Sequence, residues 1–182
     1  MTNKISSIIK FFKLRLRRIL WQCKGVTLDK NAFIYKQVDI DKPSRVLLKP
    51  NAVLYKNITL CIGVSGYFEL GRNSHIAPFG YALIANNQLI IGDNVAIGPF
   101  CSFFCHTNNI EGKNPLFCEN YLNNNISIGN NVFIGSHCII LPGTIIRDNV
   151  VIAANSVVKG EIMSGNLYGG SPAKLIKSID NE

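Results

Sequence analysis

From residue 128 onward a bulky aliphatic side chain returns at every sixth position: Ile128, Ile134, Ile140, Ile146, Ile152 and Val158. With 47% of the chain hydrophobic, six consecutive hits arise by chance in roughly one frame in a hundred, and five of the six are Ile. A period of six matches neither the 3.6-residue helix nor a simple alternating strand, but it does match one flat face of a three-sided solenoid. Three hexads then make a coil of eighteen residues. The fifth position of each hexad is small or β-branched at Val132, Cys138, Thr144, Val150 and Ser156. Each short strand therefore turns one large and one small side chain inward.

The same phase runs through Ile91, Ile97 and Phe103, with Val95 and Cys101 at the small position, and more faintly through Leu28, Ile34, Ile40, Leu48, Leu54, Leu60, Leu70 and Ile76. Gly or Ala after the large residue, and the pairs Asp93-Asn94, Asn130-Asn131 and Asp148-Asn149, suit corners that need tight or positive-φ backbone. Such a stretch, rich in β-branched residues, Gly and Asn, is a poor helix. The six cysteines form no CxxC pair and no zinc spacing, and no apolar signal-peptide core opens the chain. They read as reduced thiols of a cytoplasmic protein, Cys101 and Cys138 facing inward.

The chain carries 19 Lys and Arg against 11 Asp and Glu, a formal +8. Seven of the cations (Lys4, Lys10, Lys13, Arg15, Arg17, Arg18 and Lys24) precede the first acid, Asp29, which leaves 12 and 11 in the rest. That near-neutral body argues against nucleic acid as a partner. Residues 4 to 21 place Ile5, Ile8, Ile9, Phe12, Leu16 and Ile19 on one face at helical spacing, with Lys10, Lys13 and Arg17 opposite. The reading is an amphipathic helix that either lies on an anionic membrane through residues 1 to 24 or covers the open end of the solenoid. No apolar run is long enough to span a bilayer.

Hexads stop between Phe103 and Ile128, and the polar stretch between them reads as a loop extruded from a corner, a frequent place for function on a rigid scaffold. His106 opens it. An imidazole at such a place suits general-base work on an attacking group's proton, since its reference pKa of about 6.5 lies close to neutral pH. The three histidines, His75, His106 and His137, stand 31 residues apart each time, so no close pair offers a metal site.

The segment IGNNVFIGSHCIILPGTIIRDNVVIAANSVVKG, followed by GGSPAKLIK, resembles the hexapeptide-repeat acyltransferases, in particular the galactoside and maltose O-acetyltransferase branch, over residues 70 to 177. The resemblance implies a left-handed parallel β-helix, a homotrimer with active sites between subunits, and acetyl-CoA as donor. It places the catalytic base at His106, the oxyanion donor at the amide of Ser136, and acetyl-CoA contacts at Gly135, Ser136, Ala154, Lys159, Lys174 and Lys177. Phe133 replaces the family's usual Trp, Lys159-Gly160 its common Thr-Lys pair, and Asn86 a sugar-contacting carboxylate. The expected organisation is a basic helix over 1–25, a β-helix over 26–160 with a loop at about 104–127, and a C-terminal segment over 161–182 that closes the donor site. The expected reaction is acetylation of a sugar hydroxyl of a bacterial surface polysaccharide or its lipid-linked precursor. The alternatives are N-acetylation of an amino sugar nucleotide, or a non-catalytic assembly module. Glu111 and Glu119 are both candidates to orient His106.

Overall fold

The computed structural model describes residues 14–111 and 114–179. Short strands stack into three parallel sheets of seven, eight and six strands, the walls of a left-handed parallel β-helix of about six turns. Every inward hexad residue named above is buried, including the faint ones: Leu48, Leu54 and Leu70 are fully enclosed, and Leu28 and Ile40, nearest the first coil's end, are the least so. Each enclosed Leu or Ile contributes roughly 1.5–3 kcal/mol relative to exposure, and the stack repeats that gain coil after coil. The small inward positions Val95, Cys101, Val132, Cys138, Thr144, Val150 and Ser156 are buried too. Thr144 and Ser156 satisfy their hydroxyls by donating to the carbonyls of Leu141 (2.7 Å) and Ala153 (2.6 Å). Burial also pushes the Cys105 thiol up to about 12, so it is a packing residue and not a nucleophile.

Coil length explains why the early frames look faint. Ile128 pairs with Ile146, eighteen residues on, whereas Leu28, Leu48 and Leu70 pair with residues twenty, twenty-two and twenty-one further along. The first two corners keep a fixed length, and the extra residues enter at the third, between the six- and seven-stranded walls. At the first corner Asn31, Asn51, Asn73, Asn94, Asn131 and Asn149 all take positive φ. Their carboxamides form a ladder, Asn31 to Asn51 at 3.1 Å, Asn51 to Asn73 at 2.9 Å, Asn73 to Asn94 at 3.1 Å and Asn131 to Asn149 at 2.8 Å. Two residues before the positive-φ Asn, Gly serves a second purpose. Gly71 has ordinary φ, but a Cβ there would stand 2.1 Å from the Gly92 carbonyl oxygen, so close stacking of the coils selects it.

Two expected boundaries move. Phe104 and Ile126 remain paired in the walls, so the projection from the third corner is shorter than 104–127. The stack also continues past residue 160, because Glu161–Ile162 and Asn166–Gly169 extend two of the walls, and Lys174–Ser178 then folds back as an antiparallel edge strand.

Residues 14–23 are helical and meet the first coil through Arg18 and Trp21. The carbonyls of that coil have no preceding coil to donate to them. Arg18 takes three: Ala32 (2.7 Å), Leu28 (2.7 Å) and Asp29 (2.9 Å). Trp21 packs on the core. The helix thus covers the solenoid end, and its described apolar residues Leu16 and Ile19 face away from the protein, both exposed. Ile5, Ile8, Ile9, Phe12, Lys4, Lys10 and Lys13 lie outside the described residues.

His75 faces outward from the eight-stranded wall between Val53 and Ala96, edge-on to Tyr55 at 5.9 Å. Burial holds its pKa below the ordinary value. The unfolded chain therefore takes up that proton more readily than the folded one, so stability is fully present above about pH 6.5 and declines as pH falls below it. Thermal melts at about pH 7.5 and about pH 5 should show a smaller acid loss for His75→Gln than for the parent; equal losses would refute this origin.

Candidate active site

The third corner carries His106. Its backbone is fixed by the neighbouring carbonyl of Cys105, which accepts from Asn87 Nδ2 at 3.1 Å and from the Asn124 amide at 3.0 Å. Contrary to a bare loop, His106–Asn108 and Tyr121–Asn123 pair as an antiparallel ribbon in which His106 stands opposite Asn123. His106 Nδ1 donates to Asn123 Oδ1 at 2.7 Å, and the ring stacks on Tyr121 at 4.9 Å and 22°. Since the amide oxygen only accepts, Nδ1 is the donor of this pair, and in the neutral ring Nε2 carries the lone pair. The ring is partly exposed, as a base meeting an incoming hydroxyl must be.

Neither Glu111 nor Glu119 orients this ring. Glu119 accepts from Asn114 inside the loop, and Glu111 lines a separate cavity of about 480 Å³ with Thr107, Asn109, Leu141, Pro142 and Lys159. The orienting group is Asn123, which sequence reasoning passed over because it looked for a carboxylate. The signal that existed was the run Asn123-Asn124-Asn125, whose members respectively hold His106, pair with Cys105 and accept from the Gln88 amide (2.8 Å). If His106 acts as a base, Asn123→Ala should lower turnover by up to about a hundredfold while leaving donor affinity unchanged, as loss of orientation does. Steady-state kinetics with donor titration would check it, and a KM effect alone would contradict it.

Asn86 lies at the same corner one coil earlier, where its Oδ1 accepts from the Ser65 amide at 3.3 Å. It braces the turn of the preceding coil and is otherwise exposed.

Ser136 sits at the second corner. The wall strands Ser102–Phe104 and Ile139–Ile140 are in register, Phe103 against Ile140, so His106 follows this face and Ser136 precedes it. Seven residues of register separate them, roughly 20 Å of extended chain. One copy of the chain does not bring these two groups together.

The first and second corners treat several of their amides differently. At the first corner Asx side chains of the next coil cap the exposed amides: Arg72 to Asp93 Oδ1 (2.7 Å), Asp93 to Asn130 Oδ1 (2.8 Å) and Asn130 to Asp148 Oδ1 (2.6 Å). At the second, among the described residues, the amides of Ser136 and Ala154 donate to nothing. Gly98 and Gly135 stand against them. A Cβ on Gly98 would lie 2.7 Å from the Ser136 nitrogen, and one on Gly135 2.5 Å from that of Ala154. Beside them Phe79, Phe100 and His137, all at positive φ, stack at 4.8 Å and 4.8 Å into an exposed column. Such backbone costs of order 1 kcal/mol or more per residue, offset in part by the ring stacking.

The lysines divide. Lys159 borders the loop cavity, while Lys174 and Lys177 lie exposed on the C-terminal edge strand, opposite Gly169 and Leu167. Among the described residues no three His, Cys, Asp or Glu side chains converge as a metal site.

Residues 125–159 match a family model described as the hexapeptide repeat of succinyl-transferase. The chain is 33% identical over 109 residues to the putative lipopolysaccharide biosynthesis O-acetyl transferase WbbJ of Escherichia coli (strain K12), covering 59% of this chain and 56% of that protein. It is 37% identical over 120 residues to the galactoside O-acetyltransferase of the same organism, covering 63% and 59%. It therefore spans a little over half the length of these curated relatives. Among solved structures, a variant of AntD, an N-acyltransferase from Bacillus cereus crystallised with dTDP-4-amino-4,6-dideoxyglucose and coenzyme A, superposes with a TM-score of 0.77 at 24% identity, covering 88% of each chain. That likeness establishes the fold.

Proposed function

We propose that this hexapeptide-repeat protein is an acetyl-CoA-dependent acetyltransferase that modifies a sugar hydroxyl, of a surface glycan or its lipid-linked precursor, in the bacterial cytoplasm. The observation that carries the reading is His106 held by Asn123 with Nε2 free, together with uncapped amides on the opposite edge of the same wall.

His106 Nε2 removes the proton of the acceptor hydroxyl as its oxygen attacks the thioester carbonyl carbon. The Ser136 amide meets the carbonyl oxygen as it gains negative charge, and needs no reorganisation to do so. When the C–S bond breaks, the proton passes from His106 to the departing sulfur, and the acetyl group remains on the sugar oxygen. Gly135 keeps the Ala154 amide open to the pantetheine arm, and Lys159, Lys174 and Lys177 supply cations for the donor's phosphates. Because His106 and Ser136 lie on opposite edges of one wall, the site is completed by a second copy. A cyclic homotrimer does this three times over, with each ribbon reaching a neighbour's second corner. Asn86, at the same corner as His106, contributes a hydrogen bond to the sugar.

An amine acceptor is the second reading, favoured by the end-to-end likeness to AntD, and it uses the same base and amide. Incubation with acetyl-CoA and a panel of free sugars, glycan precursors and amino sugar nucleotides, with thiol release followed colorimetrically and products by mass spectrometry, tests both. Turnover with an ester product supports the first reading and an amide product the second. No turnover and no acetyl-CoA binding by calorimetry would leave a non-catalytic module.

A further inference from the structure

The N-terminal helix carries an exposed apolar ridge that a simple cap does not need. A helix that merely closes a solenoid turns its apolar face inward and its polar face to water. Here the inward groups are Leu14 (beside Ala32 and Phe33), Trp21, and Arg18, which is spent on three carbonyls. The outward ridge is Leu16, Ile19 and Leu20, exposed by 58%, 47% and 54%. Cations flank that ridge: Arg15 on one side, Arg17 and Lys24 on the other, with Lys24 lying 4.7 Å over the Trp21 ring. On the latter side a groove of about 290 Å³ opens between helix and first coil, lined by Arg17, Trp21, Lys24, Tyr35 and Lys36. No acid occurs before Asp29 in the sequence, and the same helical spacing runs back through Phe12, Ile9, Ile8 and Ile5 among Lys4, Lys10 and Lys13.

We propose that the helix end of the solenoid docks on an anionic lipid surface, Leu16, Ile19 and Leu20 entering the interface while Arg15, Arg17, Lys24 and Lys36 meet lipid phosphates. Charge decides between this partner and a second copy of the chain. A like copy would bring an acid-free cationic segment against itself, whereas an anionic bilayer neutralises it. The helix is already fastened to the first coil, so its outward ridge is presented without prior refolding. In a cyclic trimer all three ridges lie at one end of the stack and engage one plane, which multiplies a weak single contact. Among the described residues no helix is long and apolar enough to cross a membrane, and the geometry is that of an interfacial helix.

The test is co-sedimentation of the full chain with vesicles, without acetyl-CoA or acceptor, so that its result stands apart from the catalytic reading. Vesicles of phosphatidylglycerol and phosphatidylcholine should retain the protein at low salt and release it as salt is raised. Pure phosphatidylcholine should retain at least about tenfold less. Leu16→Glu with Leu20→Glu, both exposed, should weaken retention at least about tenfold while the thermal melt stays unchanged. Arg15→Gln with Arg17→Gln provides an independent loss should the first variant fold poorly. Failure of the parent to bind anionic vesicles, equal binding to neutral ones, or retention unaffected by either variant would overturn the proposal. So would a change in oligomeric state with the Leu variants by light scattering, which would mark the ridge as a subunit contact.

Discussion

Replacing His106 with alanine is expected to lower kcat by about a hundred- to ten-thousandfold, the range removed with a positioned general base, and to leave acetyl-CoA affinity within about twofold. The fold should persist, since the ring lies outside the core and stacks on Tyr121 of the ribbon. Stopped thiol-release assays give the rate, and calorimetry with acetyl-CoA gives the affinity. Full activity in His106→Ala would refute the mechanism outright. Loss of donor binding in step with rate would show instead that His106 holds the donor.

The second large effect concerns a main-chain atom, which side-chain replacement ordinarily cannot reach. Ser136→Pro removes the Ser136 N–H and little else, because the corner already tolerates proline there. Pro78 and Pro99 occupy the same place in the two preceding coils, each followed by a residue at positive φ, as Ser136 is by His137. Proline is favoured at this position of such a turn. The Ser136 carbonyl, which accepts from the Asn155 amide at 2.9 Å, is untouched. Loss of one oxyanion donor lowers kcat by roughly a hundred- to a thousandfold, with an unchanged melting curve. Co-expression of the two inactive proteins then tests assembly. A site that joins His106 of one copy to Ser136 of the next recovers activity in mixed trimers, at about a quarter of the parent value for random equal mixing. Strict inactivity of the mixture would confine the site to a single chain.

Much of this architecture was readable from residue spacing, for a physical reason. The C-terminal coils have no insertions, so one phase of large and small residues survives from Ile128 to Val158. The earlier coils kept the same inward residues but lost the phase, since each added residues at the third corner; Leu48 and Leu54 look accidental in the sequence and are fully enclosed in the fold. The boundaries of the loop and of the last coil were missed because strand pairing, unlike side-chain pattern, leaves no mark on polar residues such as Asn166. At the site, His106 could be located by where the hexads cease. Asn123 could not, because its partnership exists only once the ribbon closes residues 17 apart. The uncapped amides of Ser136 and Ala154 were equally invisible, being defined by what neighbouring coils fail to offer.

The unequal corners have a consequence for how such a molecule can change. Two edges of the prism have a fixed residue count, so an insertion there would throw every later strand out of step, exchanging inward and outward side chains through the rest of the stack. The third edge forgives length: it has absorbed a short 3₁₀ turn at Pro43–Arg45, small excursions, and an entire ribbon bearing the imidazole, without altering the pairing on either side. New specificity can therefore be tried by recasting that one edge, and a graft between Asn108 and Tyr121, which keeps His106 and Asn123 in their pairing, is the place where an engineer has the widest latitude.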